Sequence, residues 1–181
     1  MTDIADLVER NADFAAGEFA AGPAPTMAPR GRLMVVGCVD PRVDPERVLG
    51  LERGEAVVIR NAGGRLTPAA LRDMAVLDRV GARANMASGP GGPFNLVILH
   101  HTHCGLSLLD PHDDAVAAYF ETPLDGVDAS ALGDPFTSVR ADVEIARQSI
   151  RRPGHLVSGL VYDVVTGRVE VVVPAAAVPV G

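Results

Sequence analysis

The sequence predicts an α/β fold: a mostly parallel sheet in the strand order 2-1-3-4 with an antiparallel C-terminal edge strand, flanked by helices and preceded by an N-terminal helical arm. Three observations predict it. Short apolar runs at residues 33–37, 56–59, 94–100 and 156–162 alternate with segments of helical periodicity, as in strands joined by crossover helices. The last run is followed by Thr166-Gly167 and a valine-rich stretch at 169–173, which reads as a hairpin returning antiparallel. The first and third runs lead into Cys38 and His101, and the order 2-1-3-4 makes those two strand ends neighbours where the strand order reverses, the place where such sheets collect ligands.

Each element has its own local reason. Thr2 or Asp3 can cap a helix over residues 4–19, with Ile4, Leu7, Val8, Phe14 and Phe19 as its apolar positions. Gly22, Pro23, Pro25 and Pro29 then break it into an extended arm, so residues 1–30 read as the arm and residues 31–181 as the body. Such a helix needs an apolar surface, either on its own domain or on a second subunit. Strand one, 33–37, runs into the loop Cys38-Val39-Asp40-Pro41-Arg42. Asp44-Pro45 opens a short helix reaching Leu49. Strand two, 56–59, ends in Arg60-Asn61-Ala62-Gly63-Gly64, and Thr67-Pro68 starts a helix with Leu71, Met74, Ala75, Leu77 and Val80 at helical spacing. A Gly/Pro-rich loop at 88–93 precedes strand three. A helix is expected at 113–120, a loop at 121–137, and a further helix from a Ser138 cap to about Arg151, stopped by Pro153 and Gly154.

Composition narrows the function. The chain has 181 residues and 48% hydrophobic content, enough for one sizeable core. A net charge of -7 argues against nucleic acid and anionic membranes as partners, and 4% aromatics with no tryptophan offers no stacking platform for bases. No stretch supplies the roughly 18 unbroken apolar residues of a membrane helix. Acidic residues at the start of the chain (Asp3, Asp6, Glu9, Asp13) do not fit a secretory signal, so a cytoplasmic protein with reduced cysteines is expected.

The chemistry concentrates in Val97-Ile98-Leu99-His100-His101-Thr102-His103-Cys104-Gly105. His101 and Cys104 are a plausible ligand pair for a borderline-soft metal, and Cys38 at the end of the neighbouring strand supplies a third donor. Three protein ligands leave a tetrahedral zinc one open position, the mark of a catalytic site. Asp40 and Arg42, two and four residues beyond Cys38, form a carboxylate–guanidinium pair. Asp40 can accept a proton from the activated water, or swing from Arg42 to fill the fourth zinc position. Singly, a buried thiol, a core histidine and a surface ion pair would be the commoner explanations; their shared place at the strand ends reverses those odds.

These residues carry a resemblance. Cys38-Val39-Asp40-Pro41-Arg42 resembles the Cys-x-Asp-x-Arg motif of β-class carbonic anhydrases, and His101-Thr102-His103-Cys104-Gly105 resembles their His-x-x-Cys-Gly. Residues 58–63 resemble the segment between those motifs, and residues 159–167 the closing hairpin, so the likeness spans about 33–173, with the small bacterial and mycobacterial members the nearest in type. The resemblance implies one zinc per chain on Cys38, His101 and Cys104, an Asp40–Arg42 dyad, hydration of carbon dioxide to bicarbonate and a proton, and a dimer or tetramer in which N-terminal helices pack across subunits. Hydrolysis of carbonyl sulfide or carbon disulfide at the same centre, or a zinc-stabilised sensor domain without turnover, are the alternatives.

Some positions depart from the family pattern. Pro41 stiffens the loop that carries Asp40. His103 takes a place often held by Asp; it could shuttle protons at the site mouth, but an exposed loop histidine without that role is the expectation. Gln148, the one glutamine, lies outside the motifs, so the substrate-binding glutamine of plant-type members has no counterpart. His100 should face away from His101 and make a structural hydrogen bond, while Arg60 and Gly63 are expected to line the pocket, a tight turn explaining Gly63 equally well.

Overall fold

The computed structural model describes residues 2–24, 26–84, 94–123, 132–150 and 154–178. The expected loop at 88–93, the middle of the expected 121–137 loop and the Arg151–Pro153 helix stop lie outside them. Five strands, β1 (Leu33–Cys38), β2 (Ala56–Asn61), β3 (Phe94–His101), β4 (His155–Tyr162) and β5 (Val169–Ala177), form one sheet in the order β2-β1-β3-β4-β5. All neighbours are parallel except β4 and β5. The predicted order 2-1-3-4 and its antiparallel edge strand are therefore as observed. The register sets Gly37 opposite Leu99 and Cys38 opposite Asn61, so β1 and β3 reach the carboxyl edge side by side.

Strands run slightly longer than the apolar runs, because hydrogen-bonded pairing continues to Cys38, Asn61 and His101 after the hydrophobic signal stops. β5 continues past Pro174 to Ala177, which an edge strand tolerates since one side of its backbone needs no ladder partner. The helices are α1 (Ile4–Phe14), α2 (Pro45–Val48), α3 (Pro68–Arg83), α4 (Asp114–Phe120) and α5 (Pro135–Ser149). Asp3 caps α1 with a reciprocal capping box through Asp6, and the helix passes into a π turn at Ala15–Phe19. Asp44 and Thr67 cap α2 and α3 as expected, each with Pro in the first turn.

One expectation is corrected at α5. Asp134, not Ser138, is its cap, accepting from the amides of Phe136 and Thr137, with Pro135 following. Ser138 therefore lies inside the helix, on the face that carries Val139, Asp142, Val143 and Ala146 into the core. That face packs on one side of the sheet against Val36, Leu96, Ile98, Val157 and Val161. The other side buries Val35, Val43 and Leu99. α1 buries none of its residues: Ile4, Leu7 and Val8 are exposed. The arm is held by Arg53, whose guanidinium lies 4.6 Å from the Phe19 ring centre and donates to Pro23 O at 3.2 Å. No helix among the described residues is long and apolar enough to cross a membrane.

Candidate metal centre

Cys38 ends β1, His101 ends β3 and Cys104 lies in the turn that follows, so adjacent strand ends bring the three together without help from any distant loop. One donor atom from each lies within 4.8 Å of the others, and the two sulfurs are 3.9 Å apart. His101 is 1% exposed. Its Nδ1 faces the Thr102 carbonyl at 2.9 Å and must donate to it, which leaves the lone pair on Nε2. That Nε2 is buried and has no hydrogen-bond partner among the described residues. A buried, unpaired lone pair aimed at two sulfurs is a donor set waiting for a cation.

The sulfurs titrate as a pair. Hydrogen bonding from Cys104 draws the Cys38 thiol down to about 4 against the opposing effect of burial, with further help from the amides of Asp40 and Gly63. Cys104 is pushed up, first by its bond to Cys38 and then by burial. One proton is thus shared between two sulfurs, and a divalent cation is the group that stabilises both as thiolates.

Asp40 and Arg42 stand at the mouth. Arg42 Nε and Nη2 donate to the two carboxylate oxygens at 2.9 and 2.6 Å, and the Arg42 amide adds a third bond at 2.9 Å. The Arg42 side chain, chiefly through this fork, holds the Asp40 carboxyl at about 2 despite partial burial. Arg42 also donates to His103 O at 2.9 Å, linking the two motif loops. Asp40 Oδ2 lies 4.0 Å from His101 Nε2, so the carboxylate overlooks the donor set while remaining paired with Arg42.

The structure distributes the remaining expected residues. Gly63 lines, with Arg65, His101, Cys104 and Leu106, a small cleft of about 20 Å³. Arg60 instead clamps the Cys38–Val43 loop, donating to the carbonyls of Cys38, Asp40 and Val43 at 2.9, 2.9 and 3.1 Å. His103 is exposed in a left-handed conformation at φ 54°. His100 faces the other way, as expected, with Nδ1 2.8 Å from Ser138 Oγ and Nε2 3.2 Å from Asp142 Oδ2. Gln148 binds Glu144 on exposed helix surface.

A family profile described as carbonic anhydrase matches residues 33–120. β-Carbonic anhydrase 1 of Mycobacterium tuberculosis is 34% identical over 182 residues, which cover 96% of this chain and all of that protein. The chain belongs to the β-carbonic anhydrases. A crystal structure of carbonic anhydrase from Streptococcus mutans is similar to it with a TM-score of 0.67 at 27% identity, over 95% of this chain and 99% of that one. A carbon disulfide hydrolase of Saccharolobus solfataricus is 33% identical over 89 residues, 49% of this chain and 38% of that protein. β-Carbonic anhydrases use zinc, and the donors of this β-carbonic anhydrase fit it: two sulfurs and one imidazole nitrogen, converging and with the nitrogen otherwise unpaired.

Sequence reasoning missed one part of the site of this β-carbonic anhydrase: the buried pair Arg65–Asp142 behind it. Arg65 Nε and Nη2 donate to Asp142 at 2.8 and 2.9 Å, both side chains being nearly inaccessible. The available signal was Asp142 itself, a carboxylate placed on the apolar stripe of α5 one turn beyond Ser138.

Proposed function

We propose that this chain catalyses the reversible hydration of carbon dioxide to bicarbonate and a proton, with Cys38, His101 and Cys104 holding one zinc ion and Asp40 and Arg42 working beside it. The observation that carries the reading is the unpaired His101 Nε2, converging with two sulfurs and overlooked by an ionised Asp40. Bound there, zinc supplies the Lewis acidity that brings water to deprotonation near neutral pH. Asp40, far below its ordinary range, accepts hydrogen bonds and does not donate them. Arg42 Nη2 takes one lone pair of Oδ2, and the second is left to accept from the reacting water and turn that water's lone pair toward the carbon of carbon dioxide. The oxygen–carbon bond forms as one C=O pair moves onto oxygen, and the proton passes to buffer. In reverse, the same carboxylate favours the bicarbonate orientation that turns its O–H toward Oδ2. Arg60 keeps the loop carrying Asp40 in place by holding three of its carbonyls.

Elemental analysis with a stopped-flow hydration assay tests this. We expect one zinc per chain in the wild type, and loss of both zinc and hydration in Cys38→Ser and Cys104→Ser. Full zinc content in both variants, or a zinc-loaded wild type that does not hydrate carbon dioxide, overturns the reading. The local similarity to a carbon disulfide hydrolase supports a second one, hydrolysis of carbon disulfide or carbonyl sulfide at the same centre. Hydrogen sulfide release outpacing carbon dioxide hydration would favour it.

The same reading makes residues 1–30 an assembly arm and residues 31–181 the catalytic domain of a cytoplasmic homo-oligomer, a dimer or tetramer. Its support is the unburied apolar face of α1 and the free thiols of both cysteines. Deleting residues 1–25 should lower the oligomer size in sedimentation; an unchanged assembly would mean that the arm serves its own subunit.

A further inference from the structure

Asp142 lies one layer behind the donor set and is 1% exposed. Its Oδ2 accepts from Arg65 Nε at 2.8 Å, from the Leu66 amide at 2.9 Å and from His100 Nε2 at 3.2 Å, while Oδ1 accepts from Arg65 Nη2 at 2.9 Å. Two paths lead from these bonds to two different candidate ligands. Along the first, Arg65 and Leu66 continue directly from Gly63-Gly64, and Asn61 adds bonds to the Arg65 amide and carbonyl at 2.8 and 2.7 Å. Gly64 sits at φ 66° against the ends of β1 and β3: a Cβ there would fall 2.8 Å from Cys38 N and 3.0 Å from Leu99 O. Along the second path, His100 is the residue before His101, and its ring is held at both ends by Asp142 and by Ser138 of α5.

We propose that Asp142 is a positioning residue of the metal centre, setting the place of Cys38 through Arg65 and Gly63-Gly64 and that of His101 through His100. One buried carboxylate thereby references two donors on different strands to the same helix. The arrangement is charge-balanced and satisfied: burial would raise the Asp142 carboxyl, but the bonds from Arg65 and His100 hold it down at about 2. Arg65 is kept in its fork from the other side by the Phe120 ring, 5.0 Å from the guanidinium carbon.

The inference rests on the zinc reading above, and its test separates the two. Zinc-loaded wild type, Asp142→Asn, Asp142→Glu and Arg65→Lys are compared by the rate of zinc release to a chelator and by the ligand-field and sulfur charge-transfer bands of the cobalt-substituted proteins, alongside melting temperature in excess zinc. We expect Asp142→Asn to release zinc about 10- to 100-fold faster, the range typical when a partner behind a ligand is removed, and to shift the cobalt bands. Asp142→Glu, which restores a carboxylate to Arg65, should recover most of both. Arg65→Lys keeps the buried charges balanced, so it remains measurable should Asp142→Asn not fold, and should move both readouts in the same direction by a smaller factor. Wild-type release rates and cobalt bands in folded Asp142→Asn or folded Arg65→Lys, whatever the melting temperature, overturn the proposal. A wild type that takes up no zinc or cobalt overturns the zinc reading instead.

Discussion

Two arginine–aspartate forks flank the same donor set, and they differ in their access to water. Arg42–Asp40 stands at the mouth, with side chains 51% and 12% exposed; Arg65–Asp142 lies behind, at 6% and 1%. The bonding is nearly identical, each guanidinium gripping both carboxylate oxygens through Nε and Nη2. At the mouth, solvent screens the pair, so holding it together contributes little to the fold, and the carboxylate stays free to serve a reactant. Behind the site, the same fork is desolvated, and each half exists at the expense of the other: remove one and an uncompensated charge is left in the core. Identical chemistry thus becomes a working group in one place and a frame in the other, decided by burial alone.

The comparison is broken most directly at Asp40. Asp40→Asn keeps the size of the side chain but not the charge that accepts from water, and we expect a fall in hydration rate of about 100-fold or more, with zinc content and melting temperature close to wild type. A large loss of stability would instead make the mouth fork a second frame.

The working fork was far easier to read in the sequence than the frame. Cys38, Asp40 and Arg42 are packed into five residues after an apolar run, and His101 and Cys104 follow another, so short-range spacing carries the whole donor set and parallel pairing brings the two strand ends together. Arg65 and Asp142 are 77 residues apart and meet only because α5 crosses the sheet face next to β3. Read alone, Asp142 is one charged residue among several in an amphipathic helix, and that residue type is usually solvated. The Ser138 cap failed for a related reason: Asp134-Pro135 lies in a stretch whose composition reads as loop, and the better cap there moves Ser138 inward to face His100. The edge strand ran past Pro174 because a proline stops a strand only where both sides of the backbone must pair.

The buried fork should show the next largest effect, and on stability. Asp142→Ala strands Arg65 without its partner, at a cost of about 3–5 kcal/mol in urea unfolding of the zinc-loaded protein. Acid should do the same more gradually. The Asp142 carboxyl at about 2 lies below the ordinary aspartate value near 4, so the folded state favours the ionised form. Its contribution, on the order of 2 kcal/mol, is complete above pH ~4 and is lost as pH falls toward 2. The difference in unfolding midpoint between wild type and Asp142→Asn should therefore shrink across that window. A difference that stays constant from pH 5 to pH 2 would show that the carboxyl does not titrate with the fold.

The smallest expected effect is the sharpest test of the contrast. Arg42→Ala removes the exposed half of the mouth fork, and stability should barely respond, with the melting temperature moving by no more than about 2 °C. Removing the half-exposed Arg42 side chain lets water take the place of the guanidinium against Asp40, which is itself 12% exposed and so keeps contact with solvent. Hydration should still fall, by about 10-fold, since Asp40 loses the two bonds that aim Oδ2 across the donor set, and the Arg42 tie to His103 O that joins the two motif loops goes with them. Activity and stability thus separate at the mouth and fail together behind it. Full hydration activity in Arg42→Ala would mean that Asp40 is oriented by its loop alone, by Pro41 and the Arg60 clamp, and the mouth fork would lose its working role. A stability loss as large as that of Asp142→Ala would remove the distinction from the other side, since burial would then no longer account for what the two forks do.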